Sequence, residues 1–326
     1  MKKMTIADRA RFQSGAQAYA AYLEKPEGRL RQDLAFANLQ EFLPQSKDPL
    51  CALDVGGGTG ATASRLTGLG CHVTLLDSSR EMLQIADRVA GAAWGSEKIA
   101  LKHGDAAQLA DLLPEGSFDL VLCHNLLEFV DDPHVVLHDI AKLMRDSSAL
   151  LSVLVRNRAG EVLKAVIREG NLESAERGLD AEWGYESLYD GRVRLFTANE
   201  IVAMLKKVGL EVIAERGVRV LSDYLPAKVS REVDFERIFE LERKLGQRPE
   251  FAAVARYSHY LARRSARVSE GSAWPTVASS RRCPVLSRSR LMALLRSDLA
   301  LPTNAISRAP SATAIPPAPT VSRWIR

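Results

Sequence analysis

The sequence predicts an α/β fold with a seven-stranded, mostly parallel sheet that is covered by helices on both faces. Short apolar segments alternate with helical segments over much of the chain, which is typical of a buried parallel sheet. A glycine-rich bend follows the first strand, and an acidic residue ends the second. Together these observations predict a Rossmann-like sheet that binds a nucleoside-containing cofactor at the carboxyl ends of its strands.

The seven strands are predicted from short apolar runs, and the seventh is expected to lie antiparallel to the sixth. They span residues 50–55, 72–77, 98–102, 118–123, 150–155, 210–215 and 256–262.

Helix-start signals precede several of the intervening segments. Ser78–Glu81 has the capping-box pattern S-x-x-E, and Thr197 opens a second capping box. Asp132 is an N-cap residue followed by Pro133, which predicts a helix that ends near Met144. A further helix is predicted before the first strand, over residues 29–43.

The alternation is interrupted after the fifth strand, so residues 157–197 are predicted to be an insertion. Short helices are expected over 161–169 and 173–183, with an irregular aromatic segment over 186–196. Two interpretations stay open. The insertion forms a cap over the reactive end of the cofactor, or it is a surface helical pair with no role in substrate binding.

Charge divides the chain into two regions. Residues 263–326 contain 11 Arg, no Lys and two acidic residues, a formal charge of +9, which leaves −5 for residues 1–262. We therefore predict a catalytic domain over 1–262 and a basic, Pro/Ser/Ala/Arg-rich, disordered tail over 263–326. The absence of lysine favours a non-functional extension over an RNA-attracting tail.

The remaining composition excludes several classes of protein. No apolar run is long enough to span a membrane, and the N-terminus has no secretory signal. The four cysteines show no metal-binding spacing, and three lie in or beside predicted buried strands. We expect a reduced, cytoplasmic setting without a metal site.

The glycine bend allows more than one cofactor. Gly56, Gly58 and Ala61 also fit the dinucleotide pattern G-x-G-x-x-G/A, which alone is weak evidence. Asp77 lies 17 residues past Gly60, where it would meet ribose hydroxyls. A glycine bend with acidic residues after the second and third strands resembles class I methyltransferases, which implies S-adenosylmethionine rather than NAD.

Several motifs together resemble one methyltransferase group, the bacterial tRNA 5-carboxymethoxyuridine methyltransferase family, over about residues 10–263. The motifs are Gly28–Gln32, Gly56–Gly58, His124 with Glu128, Gly217–Val220 with Asp223–Leu225, and Arg256–His259.

The resemblance implies contacts to S-adenosylmethionine from Arg31, Gly56, Gly57, Asp77, Ala106, Ala107 and His124. A guanidinium at Arg31 suits a carboxylate. We add Asp54, Gly58 and Asp105 as cofactor-binding candidates, His124 and Glu128 as positioning candidates, and Tyr224 and Arg256 as substrate-binding candidates.

Purely structural roles for some of these residues stay open. Arg31 could pair with Asp33 or Glu27, and His124 could be packed at a strand end. Glu128 could be a local cap. Tyr224 and Arg256 could anchor the edge of the sheet.

The first functional hypothesis is O-methylation of the carboxylate of 5-carboxymethoxyuridine in tRNA. The second is O- or N-methylation of a small molecule, which the acidic residues of the insertion favour because they weaken attraction to RNA. An NAD(P)-dependent oxidoreductase is the third hypothesis, although no hydride-transfer motif follows the glycine bend. A non-catalytic cofactor-binding module is the fourth.

Overall fold

The computed structural model describes residues 12–93 and 98–265. The strands in this part of the chain are β1 (Cys51–Val55), β2 (His72–Asp77), β3 (Ile99–His103), β4 (Leu120–His124), β5 (Leu150–Arg156), β6 (Trp183–Glu186), β7 (Gly191–Arg194), β8 (Leu210–Val218) and β9 (Tyr257–Arg264).

Seven of these strands form one sheet in the order β3-β2-β1-β4-β5-β9-β8. Strands β1 to β5 are parallel to one another, whereas β9 lies antiparallel to both β5 and β8. The predicted seven-stranded sheet and its antiparallel last strand are confirmed. The carboxyl ends of β1, β2, β3 and β4 meet at one edge.

Helices cover the sheet and its ends. Those of the described residues are α1 (Ala16–Glu24), α2 (Pro26–Gln40), α3 (Ala61–Gly68), α4 (Arg80–Ala93), α5 (Leu109–Leu112), α6 (Pro133–Leu143), α7 (Arg158–Ile167), α8 (Leu172–Gly178), α9 (Ala198–Lys207), α10 (Phe235–Gly246) and α11 (Pro249–Ala252). None of them has both the length and the apolar character that crossing a bilayer requires.

The core lies on both faces of the sheet, as the apolar strands predict. Along β4, Val121 and Cys123 pack on one face with Ile140 of α6. Leu120 and Leu122 pack on the other face, in a cluster that also contains residues of α2 and α3.

The predicted caps are correct at two of three helices. Asp132 accepts a hydrogen bond from the backbone N–H of His134 at 2.9 Å, and Thr197 forms the complete capping box with Glu200. At α4 the cap is one residue later than predicted, since Ser79 rather than Ser78 accepts the N–H of Met82.

The insertion differs from its prediction. The second helix ends at Gly178, and residues 183–194 form an antiparallel hairpin of β6 and β7 instead of an irregular segment. The prediction was wrong here because Trp183 and Tyr185 alternate with smaller residues over only four positions, which is too short a strand pattern to recognise. The boundary predicted at residue 262 falls inside β9, and the predicted tail lies outside the described residues from Ala266 onward.

Helix α10 holds the loop that follows β8. The fully buried carboxylate of Glu242 accepts backbone N–H groups from Val220, Leu221 and Ser222 at 2.6, 3.0 and 2.7 Å. These bonds stabilise a turn in which Arg219 adopts a positive φ of 61°.

We expect Glu242→Ala to lower the free energy of unfolding by about 3 kcal/mol or more, because three buried N–H groups lose their acceptor. Urea denaturation of the full chain measures this loss. Glu240→Ala on the same helix is the control, since Glu240 is exposed and its change should stay within about 0.5 kcal/mol. Equal losses in the two variants would contradict the role assigned to Glu242.

Candidate functional site

A cavity of about 790 Å³ opens at the edge of the sheet where β1 to β4 end. Most of the sequence-predicted site residues line it, but Asp54, Gly57 and Tyr224 do not. Those that do are Arg31, Gly56, Gly58, Asp77, Asp105, Ala106, Ala107, His124, Glu128 and Arg256.

The bend after β1 requires glycine for two reasons. Gly56 has a φ of +68°, and a Cβ there would lie 2.8 Å from a methyl group of Leu126. A Cβ at Gly57 would lie 2.8 Å from the carboxyl carbon of Asp54. The backbone therefore passes closely over Asp54 on one side and borders the cavity on the other, which leaves room for a ligand against the main chain.

Asp77 joins the bend to the end of β2. Its Oδ2 accepts the backbone N–H of Gly58 at 2.9 Å, and its Oδ1 accepts that of Ser79 at 2.8 Å. Burial raises the pKa of this carboxyl more than the two N–H groups lower it. The carboxyl group is thus fixed in orientation at the cavity wall, where its remaining lone pairs suit ribose hydroxyls.

Asp54 lies behind the bend rather than in the cavity wall. It is only 3% exposed, and its Oδ2 has no hydrogen-bond partner among the described residues. Burial, together with the neighbouring Asp77, raises its pKa to about 7. In this position Asp54 supports the glycine bend; it does not line the cavity, and its role in cofactor binding stays a prediction.

The turn after β3 forms the next part of the wall. Asp105 caps a short 3-10 helix, Ala106–Gln108, by accepting the N–H of Ala107 at 2.9 Å. That N–H is therefore already used by the protein, and the cofactor contact that the resemblance implies for Ala107 would depend on other atoms of the turn.

Arg31 faces the cavity from α2. It donates to the hydroxyl of Tyr19 at 3.0 Å, and its guanidinium lies 5.3 Å from the ring centre of Tyr22. The alternative ion pairs do not form, since Asp33 pairs with Arg65 and Glu27 pairs with Arg231. Within the described ranges Arg31 has no carboxylate partner, which leaves its charge available to an anionic ligand.

Four buried arginines line the cavity around the ring of one tyrosine. We call these five residues the arginine cluster. Its members, Arg31, Arg156, Arg219 and Arg256 around Tyr257, all line the cavity, and each arginine is less than 9% exposed. Only Arg31 and Arg256 were predicted. The sequence analysis missed Arg156, although this residue ends β5 at the same sheet edge. Arg219 and Tyr257 lie within motifs that carry the family resemblance, but no binding role was predicted for them.

Three acidic side chains partly neutralise the arginine cluster. Glu161 pairs with Arg156 at 2.9 Å and with Arg256 at 2.7 Å. Asp223 pairs with Arg219, and Glu186 of the hairpin pairs with Arg156.

The positive potential of the cluster acts on Tyr257. Burial alone would raise the pKa of this phenol, but four guanidinium groups, that of Arg156 foremost, outweigh it and lower the pKa to about 7. A site that stabilises a phenolate also favours other anions, such as a carboxylate.

The positioning candidates lie at the end of β4. His124 lines the cavity, and burial, with Arg31 in second place, lowers its pKa to about 3, so the ring is neutral at neutral pH. Glu128 accepts the side-chain N–H of Asn125 at 3.0 Å and the backbone N–H of Arg156 at 2.8 Å. Oε1 of Glu128 accepts both bonds, one from its own loop and one from β5. This agrees with the structural role that stayed open for Glu128 in the sequence.

The substrate-binding candidates separate. Arg256 lines the cavity within the arginine cluster, whereas Tyr224 does not and its hydroxyl donates to the carbonyl of Gly160 at 3.4 Å. Among the described residues, no three His, Cys, Asp or Glu side chains gather closely enough to hold a metal ion.

Comparison with known proteins gives the family. A family model described as a methyltransferase domain matches residues 28–215. The tRNA 5-carboxymethoxyuridine methyltransferase of Escherichia coli (strain K12) is 29% identical over 239 residues, which cover 73% of this chain and 89% of the relative.

Two further proteins are similar. The ubiquinone biosynthesis O-methyltransferase of Cupriavidus pinatubonensis is 29% identical over 170 residues, which cover 51% of this chain and 62% of the relative. The solved structure of a SAM-dependent methyltransferase from Thermotoga maritima has a TM-score of 0.53 at 16% identity, over 78% of this chain and 99% of that one. The second likeness shows the same fold.

We expect Asp77→Ala to weaken the binding of S-adenosylmethionine about 100-fold, because two hydrogen bonds to a carboxylate are lost. Isothermal titration calorimetry on the full chain measures the Kd. Asp111→Ala, an exposed change on α5 outside the cavity, is the control and should leave the Kd unchanged. An Asp77→Ala protein with the affinity of the wild type would contradict the site.

Titration of the phenol tests the arginine cluster. Because its pKa is lowered, Tyr257 should become a phenolate as pH rises through about 7, far below the usual tyrosine range. The phenolate absorbance of the free protein measures this step. The step should vanish in Tyr257→Phe and persist in Tyr185→Phe, which alters an exposed tyrosine. A spectrum with no phenolate step below the usual range would show that the cluster lacks this potential.

Proposed function

The chain belongs to the methyltransferase family whose domain model it matches, and from this premise we propose that it methylates the carboxylate of 5-carboxymethoxyuridine in tRNA. S-adenosylmethionine is the cofactor. The acceptor is proposed from the cavity and from the similarity to the E. coli tRNA enzyme.

The arginine cluster is the observation that carries this proposal. Guanidinium groups bind carboxylates through paired, charge-assisted hydrogen bonds. Buried ion pairs hold Arg156, Arg219 and Arg256 in place, and Arg31 donates to the hydroxyl of Tyr19. With Arg31 assigned to the carboxylate of the cofactor, Arg156, Arg219 and Arg256 remain for the acceptor. Glu161, Glu186 and Asp223 formally balance these three charges, so an acceptor carboxylate would share the guanidinium N–H groups with these acids.

Aromatic side chains suit the base that carries the acceptor. Phe12, Phe129 and Tyr189 line the cavity, with ring centres 5.1 Å apart for the two phenylalanines and 4.9 Å apart for Phe12 and Tyr189. Flat apolar surfaces of this kind accommodate a nucleobase taken out of its stack.

The residues of the chain would position the reactants rather than activate them. When bound, the cofactor would supply a methyl group on a sulfonium to a carboxylate oxygen, and the electron pair of the broken C–S bond would stay on sulfur. A carboxylate is already ionised at neutral pH, so no residue has to remove a proton from it. The chain therefore acts through Asp77 at the ribose, Arg31 at the methionyl carboxylate and the remaining arginines at the acceptor.

A small carboxylate-bearing molecule is the second candidate acceptor. The observation that favours it is the surface of the insertion, where exposed acids outnumber the exposed Arg168, Arg177 and Arg192; these acids are Glu169, Glu173, Glu176, Asp180 and Glu182. An anionic surface weakens attraction to an RNA backbone. The chain is also similar to O-methyltransferases of ubiquinone biosynthesis. In either case we place the reaction in the cytoplasm, where tRNA and reduced cysteines occur together.

The test offers the full chain methyl-labelled S-adenosylmethionine with tRNA from cells that lack the endogenous enzyme, and separately with a small-molecule extract from the same cells. We expect label in a nucleoside of digested tRNA, as a methyl ester that mild alkali releases as methanol. Label in the extract alone would support the second candidate. Alkali-resistant label would contradict carboxylate methylation in both.

Arg256→Lys separates acceptor binding from cofactor binding. We expect the KM for tRNA to rise about tenfold, because a lysine keeps the charge and loses the planar fork, while the Kd for S-adenosylmethionine stays constant. Arg216→Lys on β8, outside the cavity, is the matched control. An unchanged KM in Arg256→Lys would remove Arg256 from the acceptor site.

A further inference from the structure

A chain of hydrogen bonds crosses the sheet beneath the cavity, and we name it the polar relay. His124 Nε2 lies 2.8 Å from the hydroxyl of Ser152 on β5, and that hydroxyl lies 2.7 Å from Nε2 of His259 on β9. Nδ1 of His259 lies 3.4 Å from the side-chain nitrogen of Asn38 on α2. The relay thus connects the cavity wall to a helix on the outside of the sheet.

The relay is buried in apolar surroundings. Ser152 and His259 are fully buried, and Asn38 is 3% exposed. Leucines neighbour the relay along the paired strands, since Leu154 pairs with His259 and Leu261 pairs with Ser152. An unpaired polar group is costly in such a place, so each bond of the relay needs one donor and one acceptor.

Both imidazoles of the relay carry a single proton at neutral pH. Burial, followed by His124 and Arg216, lowers the pKa of His259 well below its usual value. Burial and Arg31 lower that of His124 to about 3. A neutral ring has one N–H and one acceptor nitrogen, so the bonds of the relay decide which nitrogen has the proton.

The direction of the relay follows from Asn38. Its amide nitrogen can only donate, so Nδ1 of His259 accepts and Nε2 of His259 has the proton and donates to Ser152. The hydroxyl of Ser152 then donates to Nε2 of His124. The proton of His124 is left on Nδ1, the ring nitrogen that the relay does not use.

We propose that Ser152 and His259 are positioning residues, which hold His124 as the neutral tautomer with its proton on Nδ1. In this state His124 meets a ligand in the cavity as a hydrogen-bond donor beside Arg31. It cannot accept a proton there, because its only lone pair is directed at Ser152. The end of β4 therefore selects ligands that present an acceptor oxygen.

This tautomer also restricts the acceptor, a consequence that rests on the proposed function. A phenol or an ammonium group must lose a proton for methyl transfer, and His124 in this tautomer offers no base for it. A carboxylate needs none. The polar relay thereby disfavours acceptors that arrive protonated.

The test reads the tautomer directly by NMR of the full chain with 15N-labelled histidine, without cofactor or acceptor. The two ring nitrogens have well-separated shifts according to which one has the proton, and His124→Gln and His259→Gln assign the signals. We expect a protonated Nδ1 and an unprotonated Nε2 for His124. A protonated Nε2, or averaged shifts that indicate exchange between tautomers, would overturn the proposal.

Ser152→Ala tests whether the relay is the cause. We expect the His124 shifts to move toward an average of the two tautomers, and Ser152→Thr, which keeps the hydroxyl, to restore the single tautomer. Thr74→Ala on β2 is the matched control, because this buried hydroxyl has no hydrogen-bond partner within the described residues and lies outside the relay. An unchanged His124 pattern in Ser152→Ala would show that the relay does not set the tautomer.

The two proposals can fail separately. The NMR measurement needs neither cofactor nor acceptor, so a failed methylation assay leaves the tautomer standing. A wrong tautomer in turn leaves the ester assay valid. A purely structural role of Ser152 would lower stability without moving the proton of His124.

Discussion

The burial of four guanidinium groups at one end of the cavity is the constraint on which the rest of the site depends. Removing a cation from water costs several kcal/mol unless acidic partners surround it. Those partners come from separate parts of the chain: Glu161 and Glu186 belong to the insertion, and Asp223 follows β8. The insertion is therefore a structural requirement of the arginine cluster. The loop held by Glu242 has the same purpose, because it places Arg219 and Asp223 together.

The cavity has two ends with different chemistry, and the order of strands explains their separation. The glycine bend and Asp77 lie at the ends of β1 and β2, toward one side of the sheet. Arg156 ends β5, and Tyr257 begins the antiparallel β9 beside it. The reversal of β9 is what brings its first residues to the same edge as the ends of the parallel strands. His124 ends β4, between the two groups, where the polar relay reaches the cavity.

The first end could be predicted from the sequence, whereas most of the second could not. Gly56 and Asp77 each lie at the end of a short apolar run in the sequence. The carboxyl ends of parallel strands meet at one edge of the sheet, so this local pattern is sufficient to place both residues. Glu161 and Arg256 are separated by about a hundred residues, and their contact depends on a loop and on β9, which have no local signature. Asp54 shows a further limit: its position in the sequence suggests a ligand contact, and only the path of the backbone over it shows that Gly57 intervenes. The hairpin was missed because strands of four residues show too few alternations.

The cavity contains buried guanidinium groups, whereas residues 1–262 as a whole have a net negative charge. This difference limits how an acceptor is recognised. Residues 1–262 have a formal charge of −5, and one exposed acid of the insertion, Glu169, lines the cavity that holds the arginine cluster. Screening at physiological salt confines interactions between exposed charges to about 8 Å. Long-range steering of a polyanion toward this domain is therefore weak, and the buried guanidinium groups act only on an anion that has entered. Under the proposed function, recognition would depend on a single carboxylate and the flat ring that carries it, and little on the phosphate backbone. A tRNA acceptor would have to expose its modified base before the arginine cluster could contribute any binding energy.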